Sequence, residues 1–576
     1  MLKDSTGIGK LQLGQWIKVA LIGLLAVVVI CIVILASVPP VSRDALIHHL
    51  AIPKLYLKHG GIYEIPSASW SYYPMNLDLL YMIPLYFGND IIPKYIHFVF
   101  ALLTALLIFR YLKERLDVIY ALLGVVVFLS LPIIVKLSIS AYVDLGLIFF
   151  SFAALFYFLK WINHEYKLKF LLISAFWCGL GLGTKYNGLI ALFLLTLFTI
   201  FIYAGNSAAI VKKQSKAVGL GIIFMLVAII VFSPWAIRNY IWTKNPLYPL
   251  FQDRFSNKKA ETVEIAFADS SGSETEESNT LARRNKGNWG HFAIRKIVFN
   301  EKGWEIALVP VRIFFQGRDD NPKYFDGRLN PLLFFLPLVA FFRSLRDSAR
   351  RKTEKRILFS FSVLFILYAF FQTDMRIRYI SPVIPPLVIL SLFGLNDLVG
   401  WISNRFSGFL RKICLVLLHL TAGFLLCLNA IYLIHQFQHV SPLNFILGRI
   451  ERDAYIEKYR PDYAAIQYTN KAVPDDGIIL GVFLGNRSYY SNRKMIFDYN
   501  RFLLATIQQD LSAEAVAANL RKAGITHLII RYDLFNQVIE NNFTENQKAT
   551  FARLFDEHMD LVFAKAGHGV YQLRTV

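Results

Sequence analysis

Residues 143–204 read VDLGLIFFSFAALFYFLKWINHEYKLKFLLISAFWCGLGLGTKYNGLIALFLLTLFTIFIYA. Three apolar runs, 143–160, 169–184 and 187–204, follow one another here. A basic turn (Lys160, Lys167, Lys169) separates the first two, and Lys185 alone interrupts the second pair. A helix crossing a bilayer needs about 20 apolar residues, or slightly fewer when its ends carry snorkelling side chains. The stretch therefore reads as three consecutive membrane helices.

Extending the same reading gives eight more runs: 17–38, 91–109, 118–135, 218–235, 329–342, 357–373, 379–400 and 413–435. The run that begins at Trp16 is too long for a signal-peptide core and is expected to be retained. Orientation comes from Lys and Arg. Basic groups gather at Lys3/Lys10/Lys18, Arg110/Lys113/Arg115, Lys160/Lys167/Lys169, Lys212/Lys213/Lys216, Arg343–Arg356 and Arg405/Arg411/Lys412. With eleven spans every cluster falls on one side, the cytoplasmic one. The apolar segment Pro74–Phe87 has only about 14 residues. Counting it as a span would invert every later loop, so it is expected to be a re-entrant or interfacial helix in the first outer loop.

The 576 residues are 55% hydrophobic and 18% charged, with a formal net charge of +21 and a mean hydropathy of +0.45. The basic excess lies in short clusters between apolar runs, which argues for cytoplasmic loops and against a nucleic-acid partner. Cys31, Cys178, Cys414 and Cys427 all lie inside apolar runs, with neither disulfide nor zinc spacing. Residues 256–290 are polar and read as a mobile loop. Residues 292–316 alternate apolar and basic groups and read as an amphipathic helix on the bilayer surface.

From residue 441 the pattern becomes that of a soluble domain. Ile478–Leu484, Ile525–Arg531, Leu561–Lys565 and Val570–Leu573 read as strands, and Ser512 caps a helix that ends at Gly524. The expected architecture is an all-α polytopic membrane part, 1–440, followed by a small α/β domain, 441–576, outside the cytoplasm.

Ionisable residues at the outer ends of the spans are the candidates for chemistry. Asp44 follows the first span in Ser42-Arg43-Asp44-Ala45-Leu46-Ile47-His48-His49; on a helix, Asp44 and His48 share a face. Asp144 opens an apolar run, where a carboxylate needs a partner or a function. Lys185, Arg238 and Arg378 add cations at three further outer ends. Solvated helix flanks and snorkelling charges are the ordinary alternative for each. Their convergence on one face is the charge layout that binds a lipid-linked phosphate and activates a nucleophile.

The order of these features carries a resemblance. An outer-loop Asp after the first helix precedes Tyr72-Tyr73-Pro74, and a second Asp follows the third helix. Gly-x-Gly-x-Gly-Thr-Lys-Tyr and Arg378-Tyr379…Pro382…Pro385 come next. The chain resembles the C-type glycosyltransferase superfamily, and within it the bacterial relatives of protein O-mannosyltransferases and the lipid A aminoarabinose transferase. The stretches 45–60, 235–249 and 325–337 are the most family-like. The resemblance implies a polyprenyl-phosphate-linked sugar donor, membrane lipids as surroundings, and an acceptor lipid, glycan or protein at the outer face of a bacterial inner membrane. By analogy Asp44 is the catalytic base and Asp144 orients the acceptor or a cation. Lys54, Lys185, Arg238 and Arg378 meet the phosphate, and Tyr72, Tyr73 and Tyr379 face the sugar or prenyl chain. Many relatives carry a second acidic residue beside the first, whereas Asp44 stands between Arg43 and Ala45. No cofactor is required on this reading, although His48 with Asp44 is compatible with a divalent metal. A polysaccharide polymerase or ligase shares this architecture, and a lipid or solute transporter shares the spans; no internal repeat favours the transporter.

Overall fold

The computed structural model describes residues 5–205, 211–255, 291–343, 347–372 and 375–574. The expected polar loop at 256–290 lies outside them. Helices occupy each of the eleven apolar runs. In chain order the first ten helices are α1 (Ser5–Ala36), α2 (Ala51–His59), α3 (Asn76–Tyr86), α4 (Ile92–Arg115), α5 (Val118–Ser130), α6 (Pro132–Ser138), α7 (Asp144–Asn163), α8 (Leu168–Leu182), α9 (Gly188–Gly205) and α10 (Val211–Thr243). Helices Leu332–Arg343, Ala349–Gln372, Ile384–Arg405 and Gly408–Val440 complete the membrane part. Among the described residues seven helices are long and apolar enough to cross a membrane, or eight if α5 and α6 form one span. The chain is thus a multi-pass membrane protein.

The α5–α6 break departs from the single span expected at 118–135. Pro132 has no N–H to continue α5, and it holds Leu131 in an extended conformation (ψ 133°). The two helices meet at 64°. That bend turns Lys136 and Ser140 toward the site described below. Helix α3 has 11 residues, about 16 Å of helix, too short to cross.

α7 is enclosed along nearly its whole length, between α4 and α8. Its far end shows why the basic clusters share one side. Glu354 accepts from Arg115 Nη2 (2.8 Å) and from Asn163 Nδ2 (2.5 Å). The basic turns after α4 and α7 therefore meet the start of helix Ala349–Gln372 at one end of the bundle. Asp44, Asp144, Lys185 and Arg378 gather at the other.

The expected amphipathic helix at 292–316 is instead three short helices, His291–Ile297, Gly303–Ala307 and Val309–Arg312. Asn300 takes a left-handed conformation (φ 52°), and Pro310 starts the last piece. Its charges turn inward: buried Glu301 bridges Arg295 and Arg312, 3.1 Å from each. The alternation of basic and apolar residues served an internal ion-pair cluster.

Beyond Val440 the chain builds a five-stranded sheet of order β2-β1-β3-β5-β4. The strands are β1 (Ile478–Val482), β2 (Lys494–Ile496), β3 (Ile525–Arg531), β4 (Met559–Lys565) and β5 (His568–Leu573). β1 pairs parallel with β2 and β3, while β5 is antiparallel to β3 and β4. Period-two alternation sends Leu480, Leu528 and Ile530 into one helix-covered core and Ile479, Ile529 and Val570 into the other. Ser512 Oγ accepts from Ala515 N (3.3 Å) and caps helix Ala513–Lys522, which closes at Gly524 (φ 74°). Strand β2, three residues long and polar on its exposed edge, was not legible as a strand.

This domain sits on the segment between α1 and α4. Ser488 N and Tyr489 N both donate to Leu46 O (3.2 and 3.1 Å), Tyr490 Oη donates to Pro40 O (2.7 Å), and Arg452 pairs with Asp90 (2.5 Å).

Candidate active site

The loop after α1 winds through one π-turn, Ala45–His49, closed by Leu50 N donating to Ala45 O (2.9 Å). An i→i+5 turn widens the spacing around the axis. It brings His49 as well as His48 near Asp44. The His48 and His49 rings lie 3.9 Å apart, and both respond to the Asp44 charge. His48 stacks on Trp70 (5.0 Å, 17°), and His49 Nδ1 is 2.7 Å from Asp78 Oδ1. Burial pushes both histidines down to about 3 and Asp78 up to about 7. The His49–Asp78 pair therefore favours neutral imidazole with a carboxylic acid over opposite charges.

The Asp44 carboxylate is bonded to the Arg378 guanidinium. Both side chains are buried, at 7% and 9% exposure. Burial alone would raise Asp44, but Arg378 and the neighbouring His48 hold its carboxyl well below the usual range. Arg378 enters from the 3₁₀ turn Ile377–Val383 and lies between the Tyr142 and Tyr379 rings, 5.6 and 5.2 Å away. Lys185 also lies against Tyr379, its Nζ 5.2 Å from the ring centre. Lys185 in turn binds Asp144 Oδ1 at 2.7 Å.

Asp144 is the first residue of α7 and is fully buried. Its Oδ2 meets no hydrogen-bond partner. The helix N-terminus behind it is completed by His97, whose Nε2 accepts from Leu145 N (2.8 Å). His97 Nδ1 lies 2.9 Å from Ser140 O, which fixes the tautomer with the proton on Nδ1. Lys185 is held by close packing at the glycine-rich turn. A Cβ on Gly183 would come within 2.4 Å of Asn76 Nδ2, and Asn76 N donates to Gly183 O (3.0 Å). Gly183 lets α3 press against the α8–α9 turn, while Gly179 and Gly181 of the same run bring α8 against α10 and α7.

A cavity of about 710 Å³ opens between the C-terminal domain and the ends of the membrane helices that carry Asp44 and Arg378. Asp44, Arg378, Tyr142 and Lys136 face it from the membrane side, Arg460 and His568 from the domain side. Asp144 and Lys185 are not part of this lining and stand behind the Asp44–Arg378 wall. Lys136 is neutralised by Asp319, Asp320 and Asp326 (3.4, 3.2 and 2.9 Å).

Other expected site residues are placed differently. Lys54 Nζ donates to Tyr489 O, Ser491 O and Asn492 Oδ1 (2.8, 3.0 and 3.0 Å). All three ammonium donors are used in holding the C-terminal domain, and Lys54 lies off the cavity. Arg238 is stacked between Trp235 and Trp242 (4.6 and 4.8 Å) and donates to Tyr73 O (3.1 Å). Tyr72 donates to Glu64 (2.7 Å), and Tyr73 packs on Tyr186 and Trp70. These three form a separate aromatic cluster around Asn239, which donates to Tyr72 O (2.8 Å). For a divalent cation the donor set does not fit. Asp44 is taken by Arg378 and His49 by Asp78, and no group of three His, Cys, Asp or Glu able to hold a metal occurs among the described residues.

Asp78 and His97 were missed. Both lie within apolar runs, the same signal that marked Asp144.

Residues 86–237 match the family profile described as dolichyl-phosphate-mannose-protein mannosyltransferase. No curated protein sequence matches the chain. Its fold is similar to that of ArnT from Cupriavidus metallidurans, solved bound to undecaprenyl phosphate. The two share 14% identity with a TM-score of 0.53, over 96% of this chain and 97% of that one. It is also similar to the oligosaccharyltransferase AglB from Archaeoglobus fulgidus, solved with an inhibitory peptide and a dolichol-phosphate. There the identity is 13% and the TM-score 0.51, over 96% of this chain and 74% of that one. The chain has the C-type glycosyltransferase fold. Within that fold the profile match spans α4 to α10 and includes Asp144 and Lys185. Asp44 and Arg378 lie outside the matched segment, one on each side of it. The C-type glycosyltransferase fold thus brings together a pair that neither end of the match contains.

Proposed function

We propose that this protein transfers a sugar from a polyprenyl-phosphate-linked donor to an acceptor at the outer face of the membrane, with Asp44 as the base. The observation that carries this reading is the Asp44–Arg378 pair on the membrane-side wall of the cavity, with Lys185 and Asp144 directly behind it. The family profile and the fold shared with ArnT support the reaction class. On this reading residues 1–440 hold the donor and the reacting groups, and 441–576 roof the cavity from outside the cytoplasm.

The acceptor hydroxyl attacks the anomeric carbon, and the bond from that carbon to the phosphate oxygen breaks with inversion. The electron pair leaves with the lipid phosphate, and the acceptor proton passes to Asp44. A carboxylate bonded to a guanidinium is a poor proton acceptor. Arg378 therefore acts in two places. It holds Asp44 ionised before the donor arrives, then turns its donors to the incoming phosphate, where leaving-group charge develops. Lys185, fixed by Asp144 beside the Tyr379 ring, adds a second cation.

The direct test is protein-dependent release of polyprenyl phosphate from a panel of radiolabelled polyprenyl-phosphate sugars, in membranes that also supply cell-envelope acceptors. Release with label in a larger product is expected. If no donor in the panel is consumed, the reading fails. A reporter active only outside the cytoplasm, fused after Val576, tests the orientation and is expected to be active.

A further inference from the structure

We propose that the C-terminal domain positions the base: Tyr490, Arg460 and the turn at Ser488–Tyr489 fix the stretch of backbone that carries Asp44. The role rests on the reading of Asp44 as the base; the backbone contacts do not.

The need for outside support follows from the sequence after α1. Val38-Pro39-Pro40-Val41 brings two consecutive prolines, which have no N–H and cannot continue a helix. Helix α1 stops at Ala36, and helical backbone resumes only at Arg43. Val38, Pro39 and Pro40 are buried, and a buried carbonyl has to find a donor. Val38 O and Pro39 O find Lys94 Nζ of α4, at 2.7 and 3.4 Å. The next two carbonyls are served by the C-terminal domain. Tyr490 Oη donates to Pro40 O (2.7 Å) and Arg460 Nε to Val41 O (2.5 Å). Past Asp44, Leu46 O accepts from both Ser488 N and Tyr489 N (3.2 and 3.1 Å). Hydrogen bonds from one domain thus grip the backbone on both sides of Asp44.

The gripping residues are themselves braced. The Tyr490 ring stands edge-on to Tyr463 and Tyr489, 5.0 Å from each, and Tyr490 O accepts from Asn470 Nδ2 (2.9 Å). Tyr489 Oη donates to Asp90 (3.2 Å), the carboxylate that also holds Arg452. Lys54 of α2 binds the same turn through Tyr489 O and Ser491 O. Arg378 reaches Asp44 from the membrane part. The pair is therefore assembled between a backbone held by the domain and a side chain held by the membrane helices. A displacement of about 1 Å at a reacting group costs about 10²-fold in rate, so the seating of the domain bears directly on transfer. Tyr490 does not line the cavity, and it acts on the reaction only through the segment that it holds.

The test uses the full-length protein in detergent and the donor that the panel above identifies. Tyr490→Phe keeps the ring and removes the hydroxyl; kcat should fall about fivefold, with KM for the donor unchanged. Arg460→Met, which also guards against misfolding of the first variant, should lower kcat about tenfold. Arg460→Gln removes the charge but sets an amide N–H where Nε stood, so it should recover most of that loss. A Gln variant as slow as the Met variant would mean that the charge acts on a bound group, and would overturn the positioning role of Arg460. In the Asp44→Asn background Tyr490→Phe should leave the residual rate unchanged, since no base remains to be placed. A further loss there would overturn the proposal. Hydrogen exchange, read by mass spectrometry, should quicken in peptides spanning 38–50 of Tyr490→Phe and Arg460→Met and stay unchanged in β1 and β3. Equal quickening in those strands would reduce the effect to domain stability and overturn the proposal. Wild-type kcat in both variants, with Asp44→Asn inactive, would overturn it too and leave the base assignment standing. Full transfer by Asp44→Asn would sink the base assignment and the positioning role with it, while the exchange data would still decide whether the domain holds this segment.

Discussion

Two buried carboxylates, each bonded to one cation that lies 5.2 Å from the Tyr379 ring, differ in access. Asp44 with Arg378 faces the cavity; Asp144 does not line it and is fully buried with one oxygen unpartnered, while its partner Lys185 keeps 19% of its side chain exposed. Chemically the pairs are alike. A group that exchanges a proton with substrate must touch it, so on the proposed function the base is Asp44 and Asp144 is a positioning residue. Removing one member of a buried pair leaves the other charge uncompensated, which costs more than the pair itself contributes. Stability and rate should therefore respond differently at the two sites.

The largest effect should come from Asp44→Asn. It keeps size and loses basicity, so transfer should fall by about 10²–10⁴-fold while the protein inserts and binds donor lipid normally. Asp144→Asn should lower the rate by less. Equal losses from the two would erase the distinction between them, and transfer near the wild-type rate for Asp44→Asn would pass the role of base to Asp144.

Next in size is the stability cost of orphaning a charge. Arg378→Met should destabilise by about 3–5 kcal/mol, and the double variant with Asp44→Asn should recover part of the loss. Lys185→Met with Asp144→Asn should behave in the same way. Thermal unfolding of the four single and two double variants checks this. Additivity in either cycle would mean that the pair is not coupled.

A smaller effect is that of Lys54→Met, which removes three hydrogen bonds to the C-terminal domain. The domain should be cleaved faster by protease, with transfer reduced less than in Arg378→Met. A loss of donor affinity equal to that of Arg378→Met would return Lys54 to the phosphate site.

The smallest is a pH effect. Asp44 is held below its unfolded value of about 3.9, so below that pH the unfolded chain binds the extra proton. The pair's contribution is therefore complete above pH ~4 and is lost as pH falls. Asp44→Asn should flatten that part of the acid limb. A limb unchanged in the variant would mean that other carboxylates set it.

The helices at the eleven apolar runs and four of the five C-terminal strands were legible because each follows from local chemistry: apolar length, a two-residue alternation, a serine cap, a glycine stop. The shared sidedness of the basic clusters was legible too, since it depends on counting crossings alone. Pro132 was visible in the sequence, but the 64° bend that it makes was not. Nor were the inward-turned charges of 292–316, because amphipathic alternation reads the same whether the charges meet water or one another.

By itself the sequence determined that this chain crosses a membrane many times, and that Asp44, Asp144, Lys185 and Arg378 stand at one face. Only the tertiary structure decided which of them meet. Asp44 and Arg378 are 334 residues apart, and nothing local in either segment encodes the other. Lys54 and Lys185 look alike in the sequence as lone lysines near outer helix ends. Folding gives one to the backbone of the C-terminal domain and the other to a buried carboxylate. A lysine's three donors go to whatever acceptors packing brings within about 3 Å, and that is a property of the assembled helices rather than of any stretch of chain.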